Sequence, residues 1–85
     1  MKKTIYSREY DLFRRMFREE RERLKLSQTE LATLLGTHQP FVARVETGQR
    51  RLDLIEFIHI MRTMGVAPTA FLKRLETRIR KEAAG

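Results

Sequence analysis

The chain has 85 residues and no cysteine, and its 18 lysines and arginines exceed its 11 acidic residues to give a formal net charge of +7. This length predicts one domain spanning residues 1–85, and the missing cysteine excludes disulfides and cysteine-based zinc sites. The charge is compatible with a nucleic-acid partner, a solvated basic surface or a basic amphipathic helix lying on a membrane, and charge alone does not separate these alternatives.

The first predicted helix covers roughly residues 8–25, with Ser7 as its N-cap. Its apolar residues recur at three-, four- and seven-residue steps, which is the period of an amphipathic helix. Arginine and glutamate side chains, Arg14 among them, occupy the face predicted to be in water. The apolar residues that define the buried face are Tyr10, Phe13, Phe17 and Leu24.

Two short helices are predicted next. The first begins at the capping-box pattern Ser27–Glu30 and ends at Gly36, which suits the left-handed position after a helix. The second spans residues 39–47 and stops at Gly48. Pro40 falls in its first turn, where the missing N–H has no helical partner to lose.

The remaining sequence predicts two further helices and no strand. Asp53 caps a fourth helix that ends at Gly65, and a fifth covers about residues 68–81. Period-two runs and hairpin dipeptides are missing along the chain. We therefore predict an all-α, five-helix bundle. The fifth helix carries an apolar side formed by Phe71, Leu72, Leu75 and Ile79.

The most informative segment is 27–48, because two short helices joined by a tight turn at Gly36 form the pattern of a helix-turn-helix. An ordinary helical hairpin in a bundle would show the same apolar spacing. Gln28 and Gln39 favour the first interpretation, since neither glutamine has an expected role in folding. The residues predicted to face inward are Leu31, Ala32, Leu35, Val42 and Val45.

This segment resembles the DNA-binding domain of the phage repressor and Cro family, the Xre-type helix-turn-helix. The resemblance runs from about Phe13 to Val66 and implies a lambda-repressor-like fold that binds double-stranded DNA sequence-specifically. The matching features are Arg21, Ser27–Ala32, Leu35-Gly36, Gln39, Val42, Arg44-Val45-Glu46, Gly48, Arg50-Arg51, Leu54 and Met64-Gly65-Val66. The chain departs from the family at His38, Pro40, Phe41 and Leu52.

The resemblance implies that residues 39–47 enter the major groove with their N-terminal side chains toward the bases. Gln39 is suited to adenine and Arg44 to guanine, because each offers a bidentate pair of hydrogen bonds. Phe41 is equally compatible with a thymine methyl contact and with a place in the core. The candidate base contacts are Gln39, Pro40, Phe41, Ala43 and Arg44.

Phosphate contacts hold the register of a DNA reader. Family resemblance and the amides at the start of the second helix both put Gln28 at a phosphate, and Arg50 and Arg51 form either a basic clamp or a solvated loop. The candidates are Gln28, Arg18, Lys25, Thr47, Arg50 and Arg51. The family pattern further implies a structural ion pair between Arg21 and Glu46, with a possible second contact from Arg21 to a phosphate.

The fifth helix suggests a homodimer, because one recognition helix reads too few base pairs to select a site. The candidate interface residues are Ile55, Phe71, Leu72, Leu75 and Ile79; the alternative is that they cover the core of a monomer. We therefore predict a small transcriptional regulator that binds a pseudo-palindromic operator, similar in size to the controller proteins of restriction-modification systems. The alternative is an antitoxin that neutralises a toxin and autoregulates its operon.

No catalytic pattern is present: His38 and His59 stand apart, and the sequence shows no metal box and no phosphate-binding glycine loop. We predict neither enzyme activity nor a cofactor. RNA binding is disfavoured by the absence of aromatic stacking motifs. The start has no apolar run, and charges interrupt the longest apolar stretch, so we expect a cytoplasmic, nucleoid-associated protein encoded by a bacterium or phage.

Overall fold

A computed structural model of the chain describes the backbone of residues 3–84 and the side chains of residues 8–84. In that part of the chain five α-helices form and no strand is found, which confirms the predicted all-α, five-helix architecture. None of the helices described there has the length and apolar character needed to cross a membrane. The helices are α1 (Lys3–Arg23), α2 (Gln28–Leu35), α3 (Gln39–Thr47), α4 (Leu54–Thr63) and α5 (Pro68–Ala84).

The predicted bounds of α1 are wrong at both ends. Ser7 lies inside the helix instead of capping it, because the sequence before it contains no glycine or proline to interrupt the helix. The helix ends at Arg23, since Lys25 adopts a left-handed backbone with φ of 59°. At the other end of the chain, α5 continues three residues beyond the predicted 81, through alanine and charged residues that favour helix.

The predicted helix starts of α2 and α4 are confirmed. Ser27 Oγ accepts the Glu30 amide at 3.0 Å, and the Glu30 carboxylate accepts the Ser27 amide at 2.7 Å. Asp53 and Glu56 repeat this reciprocal pattern at 2.7 and 2.9 Å. Each box satisfies amides that a helix leaves without partners, so both helices begin at fixed residues.

Three phenylalanines from α1, α4 and α5 form the centre of the core. The ring centroids of Phe13, Phe57 and Phe71 lie 5.6 to 6.0 Å apart, within the range at which tilted aromatic rings attract. Phe71 is 0% exposed, so the prediction that it belongs to a dimer surface is wrong. The helix-turn-helix packs on this core and on the fully buried Phe17 of α1 through the side chains of Leu31, Val42 and Val45.

Candidate functional site

The outer face of α3 is exposed and carries both polar and apolar side chains. The helix starts after His38, whose backbone is extended and whose side chain makes no capping hydrogen bond, with a proline in the first turn. Val42 and Val45 fix the inner face in the core. This orientation leaves Gln39, Pro40 and Arg44 exposed and Ala43 half-exposed on the opposite side.

Phe41 lies between its two predicted environments. Its ring is partly buried against the core, and the Arg50 guanidinium carbon stands 5.2 Å from the ring centroid. The ring also lines a small depression together with Leu35 and Ile60. Phe41 therefore packs partly against the core and partly against Arg50 in the loop after α3, and part of its ring remains accessible.

A chain of hydrogen bonds links the start of α3 to its end. Gln39 Nε2 donates to Gln28 Oε1 at 2.9 Å, and Gln28 Nε2 donates to Glu46 Oε1 at 3.0 Å. Gln28 thus makes hydrogen bonds to two other side chains, contrary to the expectation that it has no role in folding. Because one amide N–H of Gln39 is engaged, its remaining N–H and its oxygen are fixed in direction.

The Arg21 guanidinium and the Glu46 carboxylate form a bidentate pair. Nε to Oε2 measures 2.6 Å and Nη2 to Oε1 measures 3.0 Å, and Nη1 donates to the carbonyl of Leu26 at 2.8 Å. Both residues are 8% exposed. The hydrogen bonds to Glu46 raise the pKa of Arg21 against the opposing effect of burial. The pair therefore joins α1, the α1–α2 turn and α3.

The two arginines of the loop after α3, Arg50 and Arg51, have different partners. Arg50 donates to Glu56 through both terminal nitrogens, with Nη1 to Oε1 at 3.1 Å, and also contacts the Arg51 carbonyl. Hydrogen bonds from Arg50 and then from the Asp53 amide lower the pKa of Glu56 and keep it ionised. The Arg50 guanidinium is consequently held by an acidic partner, so it is less available to contact a phosphate.

Arg51 stacks on an aromatic ring. Its guanidinium carbon lies 4.4 Å from the ring centroid of Tyr10, and the Tyr10 hydroxyl donates to the Arg50 carbonyl at 3.4 Å. Burial raises the pKa of the Tyr10 phenol, so it remains a donor. Tyr10 on α1 thus contacts both arginines of this loop and leaves the outer side of the Arg51 guanidinium exposed.

The other phosphate candidates are spread over the surface. Arg18 pairs with Glu22 of the same helix at 3.1 Å, and Thr47 Oγ1 donates to the Arg44 carbonyl at 3.3 Å. Lys25 is exposed in the turn after α1. Among the residues that the structure describes, Arg44 and Arg51 stand out as exposed guanidiniums beside α3 with no ion pair.

A second surface lies between α1, the start of α4 and α5. Apolar side chains from all three helices line a groove of about 350 Å³. We call four of them the apolar face: Leu54, Leu72, Leu75 and Ile79. Leu54 is 65% exposed and Leu72 is 44% exposed. Ile55 is 72% exposed but does not line the groove. The structure thus groups three of the predicted interface residues and adds Leu54.

Sequence reasoning missed three residues of these surfaces, namely Tyr10, Arg14 and Leu54. Arg14 was placed in solvent, yet its Nη1 donates to the Glu46 carbonyl at 3.1 Å. The available signal was their spacing, because Tyr10, Arg14 and Arg21 lie at four- and seven-residue steps on one stripe of α1. For Leu54, the signal was an apolar pair with Ile55 ahead of the core positions of α4.

Comparison with known proteins agrees with this geometry. The profile of a helix-turn-helix family, HTH_3, matches residues 17–71. A solved structure of an XRE-family like protein from Pseudomonas syringae pv. tomato str. DC3000 is 39% identical and superposes with a TM-score of 0.82, covering 89% of this chain and 93% of that one. No protein in a search of curated sequences matches significantly.

Proposed function

The chain belongs to the Xre-type helix-turn-helix family of DNA-binding regulators, and from this premise we propose that it is a homodimeric transcriptional regulator that reads a pseudo-palindromic operator through α3. The observation that carries the proposal is the exposed face of α3, on which Gln39 and Arg44 project from a helix held at both ends by hydrogen bonds. Such a surface supplies donors and acceptors for base edges without further ordering of the helix.

In this proposal α3 lies in the major groove with its N-terminal turn facing the bases. Gln39 keeps one N–H and its oxygen for adenine, because Gln28 holds the other N–H. Arg44 offers a two-nitrogen fork to guanine O6 and N7. Pro40, Phe41 and Ala43 form the apolar surface between them, suited to thymine methyl groups.

Gln39→Ala and Arg44→Ala should each weaken binding to the operator while leaving binding to scrambled duplex nearly unchanged. Loss of a bidentate base contact costs about 1–3 kcal/mol of discrimination, and scrambled DNA offers no such contact to lose. The operator would first be selected from random duplex DNA, which also returns the half-site spacing. Fluorescence anisotropy on both duplexes then measures the ratio of affinities.

Arg62→Ala is the matched control for Arg44→Ala, since Arg62 is an exposed arginine on α4 and its loss changes the charge equally. The control should leave the affinity ratio between operator and scrambled duplex at the wild-type value. Equal losses on the two duplexes for Gln39→Ala and Arg44→Ala would contradict the assignment of base reading to α3.

The phosphate contacts in the proposal are led by Arg51, with Gln28, Thr47, Arg18 and Lys25 as further candidates. Arg51→Ala should weaken binding to operator and scrambled duplex alike and reduce the slope of log K against log salt by about 0.9, the value for one phosphate contact. Titrations at several salt concentrations measure this slope.

Arg50→Ala provides the comparison, because Glu56 already holds the Arg50 guanidinium. We expect its effect on the salt slope to be clearly smaller than that of Arg51→Ala. An unchanged slope in Arg51→Ala, or a larger change in Arg50→Ala, would reverse the roles proposed for these two arginines.

The proposed dimer is formed by two copies of a single domain, residues 1–85, joined across the apolar face with α5 as the main element. Half-exposed leucines on a helix that runs along the edge of the bundle favour this arrangement. The rim of the groove carries both signs of charge, Glu9 and Asp53 with Arg51. A two-fold interface brings a patch against itself, so a rim of mixed sign favours pairing with a second copy.

A further inference from the structure

The end of α3 carries a side-chain contact that no part of the proposed function uses. Arg14 Nη1 donates to the carbonyl oxygen of Glu46 at 3.1 Å. Asp11, one turn earlier on α1, accepts from Arg14 Nε at 2.9 Å and lies 2.8 Å from Nη2. The Arg14 guanidinium is therefore fixed in direction by its own helix before it reaches α3.

The last carbonyls of α3 need partners, because a helix leaves its final C=O groups without internal donors. The amide of Arg50 donates to the Arg44 carbonyl at 3.0 Å, and the amide of Gly48 donates to the Val45 carbonyl at 3.2 Å. The carbonyl of Glu46 is taken by the Arg14 side chain. A cation at this position also stabilises the negative end of the helix dipole.

Gly48 lies beside the Arg14 side chain. Its backbone is left-handed, with φ of 85°, and a Cβ there would lie 3.4 Å from both Cδ and Nε of Arg14. That distance is ordinary van der Waals contact, so the left-handed backbone is what favours glycine here, and the Arg14 side chain lies against the end of α3. This packing and the hydrogen bond to Glu46 leave Arg14 half-buried, although α1 presents other arginines to solvent.

We propose that Arg14 is a positioning residue for base reading: by capping the end of α3 it sets the angle at which Arg44 reaches the DNA. This inference rests on the proposed function. Two arginines of α1, seven residues apart, hold the same residue of α3, since Arg21 binds the Glu46 side chain and Arg14 its carbonyl. The hydrogen bond between Gln39 and Gln28 holds the other end of this nine-residue helix, so that its tilt is fixed from both ends, and base contacts tolerate displacements of only about 0.5 Å.

The test compares Arg14→Gln and Arg14→Lys with Arg15→Gln, an exposed neighbour whose replacement removes the same charge. Affinities for the selected operator and for scrambled duplex are measured at one salt concentration and at a temperature where every variant is folded. We expect Arg15→Gln to lower both affinities by one common factor. Both Arg14 variants should lower operator affinity about tenfold more than scrambled affinity, the size of one lost charge-assisted hydrogen bond.

Arg14→Lys is the decisive variant, because it keeps the charge but cannot bond Asp11 through two nitrogens while also reaching Glu46. Wild-type affinity in Arg14→Lys, or a loss in Arg14→Gln equal on both duplexes, would show that Arg14 contributes charge only and would overturn the proposal. If Arg14→Gln does not fold, Arg14→Lys alone decides between these results.

Hydrogen exchange separates this inference from the proposed function. The amides of Gly48 and Arg50 should exchange faster in Arg14→Gln than in Arg15→Gln in the absence of DNA, because the end of α3 has lost its cap. Unchanged exchange overturns the capping role. A wild type that does not discriminate operator from scrambled duplex overturns the proposed function and the DNA part of the inference, while the exchange rates still decide whether Arg14 holds the helix end.

Discussion

Glu46→Ala should lower the free energy of unfolding by about 3–5 kcal/mol, because it leaves the buried Arg21 guanidinium without its carboxylate. Arg21 would keep only the Leu26 carbonyl, at 2.8 Å, and Gln28 would lose the acceptor that holds its amide. Single domains have total stabilities of about 5–15 kcal/mol, so this one change removes a large share. Urea unfolding followed by circular dichroism at equal protein concentration measures the difference.

Glu20→Ala is the matched control, since Glu20 is also a buried glutamate of the same fold, at 5% exposure. Its partners differ from Arg21: the side chains of Arg23 and Arg74 are 62% and 53% exposed. Water solvates these arginines when the carboxylate is removed, so we expect a loss of about 1 kcal/mol or less. Similar losses for the two variants would show that the Arg21–Glu46 pair contributes no more to the free energy of unfolding than the ion pairs of Glu20.

A double variant distinguishes the effect of the unpaired charge from that of lost hydrogen bonds. Arg21→Met combined with Glu46→Leu removes both charges and keeps comparable side-chain volume, a change that is often neutral in buried pairs. We expect it to recover most of the stability lost in Glu46→Ala. No recovery would indicate that lost hydrogen bonds, such as the one that Gln28 donates to Glu46, and not the unpaired charge, account for the loss.

The features that the sequence predicted well are local in origin. The capping boxes at Ser27 and Asp53 and the turn at Gly36 each involve residues within a few positions of one another, so their geometry follows from the residue types. The bounds of α1 were less predictable, because a helix end without glycine or proline depends on a single residue, here Lys25, adopting a left-handed backbone.

The contacts that escaped prediction join residues far apart in the chain. Arg14 meets Glu46 across 32 positions, and no spacing rule encodes which of several arginines on α1 turns toward α3. Phe71 was assigned to a surface because its helix has one apolar side, yet the fold divides that side between core and groove. Periodicity identifies an apolar stripe without saying how much of it other helices will cover.

Leu54→Glu combined with Leu72→Glu should convert the protein to a folded monomer and weaken operator binding by about 100-fold or more, the loss expected when two linked half-sites are read separately. Both side chains are exposed, at 65% and 44%, so their replacement is compatible with folding. Leu75 packs against the core, and its replacement would confuse association with stability. Sedimentation equilibrium should give twice the 10.2 kDa chain mass for wild type and the chain mass for the variant.

Ala70→Glu combined with Thr77→Glu is the control for this dimer prediction, because it adds the same negative charge on a different side of α5, among Lys73, Arg74 and Lys81. This control should remain a dimer and keep its preference for paired half-sites about 34 Å apart. On an operator with a single half-site, wild type and Leu54→Glu/Leu72→Glu should bind with similar affinity, since one copy reads each half-site. A wild type that sediments at the mass of one chain at roughly tens of micromolar, or a control that dissociates as fully as the leucine variant, would contradict pairing across the apolar face.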